Sequence, residues 1–180
     1  MAIIHRATIT PTKLELLDEW LGEDLAGSDE LQQVASYRFD DPAGEVGIEA
    51  LLVTRGGAVR QAVLTYRAAP LDGAEDHLIT TMDHSVLGQR WIYDAQGDPV
   101  AVGAYQRALA GQQEQAALEI HDGDILVGTR EPTIDLTVSN PAASPDGLDV
   151  HLATLLATAD PAGPALLARW DCGEGIVAWA

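Results

Sequence analysis

Residues 45–68, EVGIEALLVTRGGAVRQAVLTYRA, are two long runs of β-forming residues joined by Gly56-Gly57. A glycine pair tolerates the positive φ angles that tight hairpin turns demand, so the stretch reads as a two-stranded antiparallel hairpin. In its second strand Arg60, Ala62, Leu64 and Tyr66 alternate with Val59, Gln61, Val63, Thr65 and Arg67. Arg60 apart, the first set is expected to look inward.

Working outward, residues 2–9 (AIIHRATI) and 31–40 (LQQVASYRFD) have strand character, and DDPAGE before the hairpin is a turn. Residues 10–21 predict a short amphipathic helix, with Thr10 as N-cap, Pro11 at the first helical position, and Leu14, Leu17 and Leu21 on one stripe beside Leu16 and Trp20. The segment 22–30 reads as a polar loop. Residues 71–85, LDGAEDHLITTMDHS, read as helical or turn-like, with Asp72 as a cap and Gly88 leading out. GQRWIYDA (88–95) reads as a strand and AQGDP as a turn. Residues 99–116 read as a helix opening on Pro99. After the loop HDGD (121–124), four further strands follow: TIDLTVSN, GLDVHLATLLAT, ALLARWD and GIVAWA. This order lacks the βαβ alternation of a parallel sheet. It predicts an α+β fold, a mainly antiparallel sheet with two or three packed helices and further strands in the C-terminal third.

With 28 acidic against 10 basic residues, the formal net charge is −18. So little cation density offers few counterions to release on a phosphate backbone or an anionic bilayer, so nucleic-acid and membrane partners are not expected. No apolar run reaches the roughly 18 residues of a membrane helix, and no secretion signal is read at the start. Cys172 is the one cysteine, which rules out an intrachain disulfide and fits a reducing cytoplasm.

Several clusters invite a chemical reading. His121–Thr129, HDGDILVGT, brushes against the catalytic loop of sugar kinases, where a His-Gly-Asp run is followed by a metal-binding amide. Here Asp122 splits the run, Thr129 stands where the amide belongs, and no glycine-rich phosphate loop precedes it; the segment reads as a plain turn. Asp83, His84 and Ser85 are sequence neighbours, whereas a nucleophile and its base must meet in space. His84 with Asp83 remains a candidate general base against a structural reading as an element end. The five histidines are scattered, so no metal site is expected. Asp40, Asp41 and Glu45, or Asp122 and Asp124, could hold Ca²⁺ loosely, but none follows the calcium-loop pattern. Trp91, Tyr93 and Tyr66, with Arg67, are candidate ligand-binding residues. Aromatic faces stack on sugar rings, though a Trp on a strand is more often core.

The run LTYRAAPLDGAEDHLITTMDHSVLGQRWIYDAQGDPV (64–100), with ITPTKLELLDEWL and FDDPAGEVGIE before it, resembles the N-terminal cap domain of actinobacterial maltokinases, and more closely the stand-alone cap-like proteins. HSVLGQRWIYD is its most specific part. The likeness covers residues 1–110. It implies a curved antiparallel sheet with helices at the edge of a kinase lobe, and a link by association to maltose, trehalose and α-glucan metabolism. The family's phosphoryl-transfer lobes find no counterpart in this sequence, so no catalytic residue is carried over and no cofactor is expected. Residues 1–115 are then the cap-like region and 116–180 a β-rich extension packed into the same domain. The expected function is a non-catalytic accessory module for a sugar kinase, an α-glucan enzyme or a sugar ligand. The alternatives are a small enzyme centred on His84, and a homo-oligomer joined through the strands after residue 130.

Overall fold

The computed structural model describes all residues except 1, 6, 23–24, 26–28, 123–124 and 158–161; residues 2–5, 122 and 157 are described by their backbone alone. At its centre stands the hairpin of β4 (Gly47–Thr54) and β5 (Arg60–Arg67), in register from Gly47↔Tyr66 to Val53↔Arg60. The connection is longer than a two-glycine turn and spans residues 55–59. Of the two glycines only Gly56 takes a positive φ, 78°. Thr54 closes the loop, its hydroxyl accepting from Gly57 N–H and donating to Gly57 C=O.

The expected one-sided burial of β5 is corrected: residues 61 to 65 are all buried. Ala62 and Leu64 pack with Leu51 and Val53 against α1 (Lys13–Leu21). Val63 packs with Ala50 and Leu52 against α2 (Pro99–Leu109) and the C-terminal strands. A strand covered on both faces reads as a continuous apolar run, and the alternation that reports a half-buried strand is lost.

Thr12, not Thr10, caps α1. Its hydroxyl accepts from Glu15 N–H, and the Glu15 carboxylate accepts from Thr12 N–H at 2.8 Å, a reciprocal capping box. The Thr10–Pro11 bond ahead of it is cis. Leu16 and Leu17 are the buried pair; Leu14, expected on the core stripe, is exposed. Strand β3 (Gln32–Phe39) pairs with β4. The helical expectation for 71–85 is also corrected. One 3₁₀ turn at Glu75–His77 leads into strand β6 (Leu78–His84), which pairs with β7 (Gly88–Asp94). The β-branched run Ile79-Thr80-Thr81 suits a pleated surface better than a helix. Helix α2 ends early: Gly111 takes φ 70°, and 112–117 run on irregularly where the helix was expected to continue.

The remaining strands are β8 (Leu118–Asp122), β9 (Ile125–Arg130), β10 (Asp135–Ser139), β11 (His151–Ala157), β12 (Ala165–Trp170) and β13 (Gly173–Trp179). His121 and Asp122, expected in a loop, end β8, while Gly123 and Asp124 lie outside the described residues. Strand β1 (Ala2–His5) pairs in parallel with β8, making a three-stranded sheet with β9. The large sheet runs β10-β12-β13-β11-β5-β7-β6-β2, where β2 is Ile9–Thr10, and β4 and β3 branch from β5. The fold is α+β, mainly antiparallel, with two α-helices among the described residues and an open sheet.

The C-terminal third enters the same core as the hairpin. Strand β11 pairs with β5 at Leu155↔Arg60, and Ile134, Val150, Leu166 and Val177 join Val63 and Tyr105 in one cluster. A buried polar relay crosses this junction. Gln61 Nε2 donates to the carbonyls of Ala153 (3.0 Å) and Val177 (2.8 Å), Tyr37 Oη donates to Gln61 Oε1 (2.9 Å), and Tyr105 Oη lies 2.8 Å from Tyr37 Oη. Tyr37 has a single hydroxyl proton, already committed, so Tyr105 is the donor in the last bond. The outer edge of β3 is covered as well. Thr133 Oγ1 accepts from Ser36 N–H and donates to Ser36 C=O, and Ala116 N–H donates to Arg38 C=O at 2.8 Å.

Candidate functional site

Asp83 and His84 sit at the end of β6, opposite Thr10 and Ile9 of β2. His84 Nδ1 accepts from the backbone N–H groups of Val86 (3.2 Å) and Leu87 (3.1 Å), which places the proton of the neutral ring on Nε2. Ser85 Oγ accepts from Thr8 N–H, and Ser85 N–H donates to Thr8 C=O. The trio therefore builds the β6–β7 turn and ties it to the segment before β2.

The candidate ligand-binding residues are spread along β5 and β7. Trp91 lies between Arg67 and Thr81 in register, and Tyr93 is buried with its hydroxyl accepting from Leu71 N–H. Arg67 makes a two-pronged contact to Asp98, Nε to Oδ2 and Nη2 to Oδ1, both 2.7 Å. Asp98 is fully buried and also caps α2 through Val100 N–H. Burial pushes its carboxyl pKa up, but the bonds from Arg67 prevail and hold it below the ordinary value. The stability this contributes is present above the unfolded-state pKa and is lost as pH falls through the lower folded one. Asparagine still caps a helix, but its Nδ2 cannot accept, so Asp98→Asn keeps the cap while removing the ionic part and one of the two Arg67 bonds. A loss of about 1–2 kcal/mol is expected in urea unfolding near neutrality, vanishing in strong acid.

A second charged centre escaped the sequence reading. Glu49, on β4, is buried beside Arg38 of β3, its partner in register. It accepts from Lys13 Nζ (2.8 Å), Arg38 Nε (3.3 Å) and Tyr66 Oη (2.8 Å), and Lys13 and Arg38 form its ion pairs. Burial opposes its charge, yet the two cations win and bring its pKa down to about 2. Burial also dominates at Lys13, whose pKa is lowered despite Glu49, and at Tyr66, whose phenol is raised well above its usual value. The cluster fastens the first turn of α1 to the sheet and commits the Tyr66 hydroxyl. The available signals were one acid inside an otherwise apolar strand and the chain's only lysine at a helix start.

A concavity lies elsewhere, at the end of α2. Where α2 ends, Gln112 N–H donates back to Arg107 C=O (2.8 Å), and the segment 112–117 folds over the end of β3. Asp40, Pro42, Arg107 and this segment line a groove of about 540 Å³. Arg107 Nε donates to Gln113 Oε1 (2.7 Å), and Gln113 Nε2 to Asp40 C=O (2.9 Å). Gln115 Nε2 holds Ile134 C=O at 2.8 Å. Arg107 Nη2 is shielded from solvent and has no hydrogen-bond partner. Of the residues singled out from the sequence, Asp40, weighed for Ca²⁺, lines this groove; Asp83, His84, Tyr66, Arg67, Trp91 and Tyr93 do not.

Among the described residues no group of three or more His, Cys, Asp or Glu is placed to hold a metal ion. Of the acids considered for Ca²⁺, Asp41 turns its carboxylate inward onto the N–H groups of Ala43, Glu45 and Val46. The pair Asp122 and Asp124 cannot be followed, since Asp124 lies outside the described residues.

Residues 18–98, a little under half of the chain, match the family described as the maltokinase N-terminal cap domain. The match contains β3 to β7 and the last turn of α1, and ends on the buried cap residue Asp98. No curated protein and no solved structure matches significantly.

Proposed function

We propose, from the premise that residues 18–98 form a maltokinase N-terminal cap-like domain, that this chain is an accessory module that docks on a sugar kinase or α-glucan enzyme and so serves maltose, trehalose or α-glucan metabolism. The observation that carries the docking part is β9. Among the described residues it pairs only with β8, and Ile125, Leu126 and Val127 follow one another there at 69%, 51% and 44% exposure. Successive strand residues point to opposite faces, so both faces of this edge are apolar. An open edge with apolar flanks is what a partner's strand adds to, with main-chain bonds along the edge and side-chain pockets on each face. The edge lies outside the matched span, as expected of a feature that this chain adds to the cap-like body.

No described helix is long and apolar enough to cross a membrane. We place the module in the cytoplasm, beside the enzyme it serves.

The test mixes the purified chain with a purified maltokinase and reads mass by light scattering during size-exclusion chromatography. A complex is expected, and Val127→Lys is expected to weaken it about tenfold or more, the usual scale for a buried anchor. An unchanged kinase peak would refute the proposal. So would a complex indifferent to Val127→Lys, or a β9-dependent dimer of this chain alone.

A further inference from the structure

We propose that the partner's segment that adds to β9 carries a carboxylate, seated on a cationic corner formed by Lys13, Arg38 and Arg130 at the C-terminal end of that strand. The inference rests on the docking reading of the β9 edge and names the chemistry of what docks there.

The corner follows from how the β8–β9 hairpin leaves the body. Ala116 N–H donates to Arg38 C=O at 2.8 Å, and Thr133 Oγ1 bonds both backbone groups of Ser36. Strand β8 begins at Leu118, two residues past Ala116, and Leu118 stands opposite Arg130, the last residue of β9. Both legs of the hairpin are therefore moored on β3 around Arg38. Arg130 comes down where Arg38 and Lys13 already share Glu49. The titration of Lys13 records the crowding. Burial lowers its pKa most and Glu49 raises it, while Arg38 and then Arg130 lower it further.

Charge decides what the corner takes. Three cations meet one enclosed carboxylate, and that carboxylate already accepts from Lys13, Arg38 and Tyr66. A guanidinium carries five N–H groups, and Arg38 places only Nε and Nη2 on Glu49. Arg130 is exposed, and so is Glu131, next in the chain. With three cations against Glu49 and Glu131 the corner still sums to +1, in a chain of net charge −18. An incoming carboxylate is repelled by the chain as a whole and attracted here, whereas an incoming cation meets the reverse. The corner also sets register. Main-chain bonds along an edge do not tell one pairing from the next, but a charged end does. Ile125, Leu126 and Val127 take the segment's apolar residues, and Arg130 lies three residues beyond Val127. At about 3.3 Å per strand residue that is ~10 Å, so the acid stands about three residues from the segment's apolar run.

The experiment measures the affinity of the purified chain for a purified maltokinase by calorimetry, in parent and variants. Arg130→Glu is expected to weaken the complex about tenfold or more, because it sets like charges face to face. Arg169→Glu, on β12, changes the net charge equally and is expected to leave the affinity within about twofold. Both arginines are exposed, so neither substitution threatens the fold. A complex that Val127→Lys weakens but Arg130→Glu leaves unchanged or tightens would overturn this inference and spare the docking reading. Equal weakening by Arg130→Glu and Arg169→Glu would overturn it as well, as an effect of net charge alone. Absence of any complex would overturn both.

Discussion

Gln61→Leu is expected to cost this protein about 3 kcal/mol of unfolding free energy and lower its melting temperature by roughly 6–12 °C. The side chain is 2% exposed and sits in β5 at the junction with the C-terminal strands. Leucine has nearly the same volume, so packing is little changed and the loss isolates the polar contacts. Three buried groups are orphaned at once: the carbonyls of Ala153 and Val177 lose their donor, and the Tyr37 hydroxyl loses its acceptor. Each orphan costs on the order of 1 kcal/mol or more, while a surface Gln→Leu change would be near neutral. Tyr105→Phe removes one donor at the far end of the relay and should cost about 1 kcal/mol, a graded control. Both values are read from urea midpoints at constant slope. If Gln61→Leu unfolds within about 0.5 kcal/mol of the parent, the relay does not hold the two parts of the core together.

Glu49→Gln should be at least as damaging near neutrality, by about 3–5 kcal/mol, because it leaves Lys13 and Arg38 enclosed without a counter-charge. Its pH signature distinguishes it from a packing defect. The carboxyl titrates at about 2 when folded, against 4.5 ordinarily. A depressed folded pKa gives stability that is complete above 4.5 and disappears as pH falls toward about 2, worth on the order of 3 kcal/mol. The parent should therefore lose stability steeply across that window, and Glu49→Gln should show a flatter acid limb. A second substitution, Lys13→Met, removes one of the stranded cations and should restore part of the loss. Parallel acid limbs in parent and Glu49→Gln would mean that the cations do not hold this carboxylate ionised.

The hairpin at the centre was legible because its signals are local: two β-rich runs and a glycine pair with no competing helix period. The burial of its second face was not. Whether Gln61 and Thr65 meet solvent depends on α2 and on β11 to β13, which return from up to 116 residues away. The α1 cap was legible in principle: Thr12-Lys13-Leu14-Glu15 carries the capping-box spacing, which Thr10-Pro11 does not. Over 71–85 the β-branched run 79–81 decides for a strand, and the cap chemistry of Asp72 precedes only a single 3₁₀ turn. His84, Asp83, Tyr66 and Arg67 drew attention as reactive or recognition types, and the structure gives each a bond within the fold. Arg107 drew none, since it lay inside an expected helix whose true end at Gly111 creates the groove.

The hydroxyl of Thr133 and the amide of Ala116 stop the rim of β3 as a pair of corks would, and both come from sequence beyond the matched span. A fragment excised at the limits of the family match would keep the strands that define it and expose an uncapped ribbon to other fragments in the tube. Insolubility of such a piece would report the missing stoppers and not a failure of the cap-like body to fold.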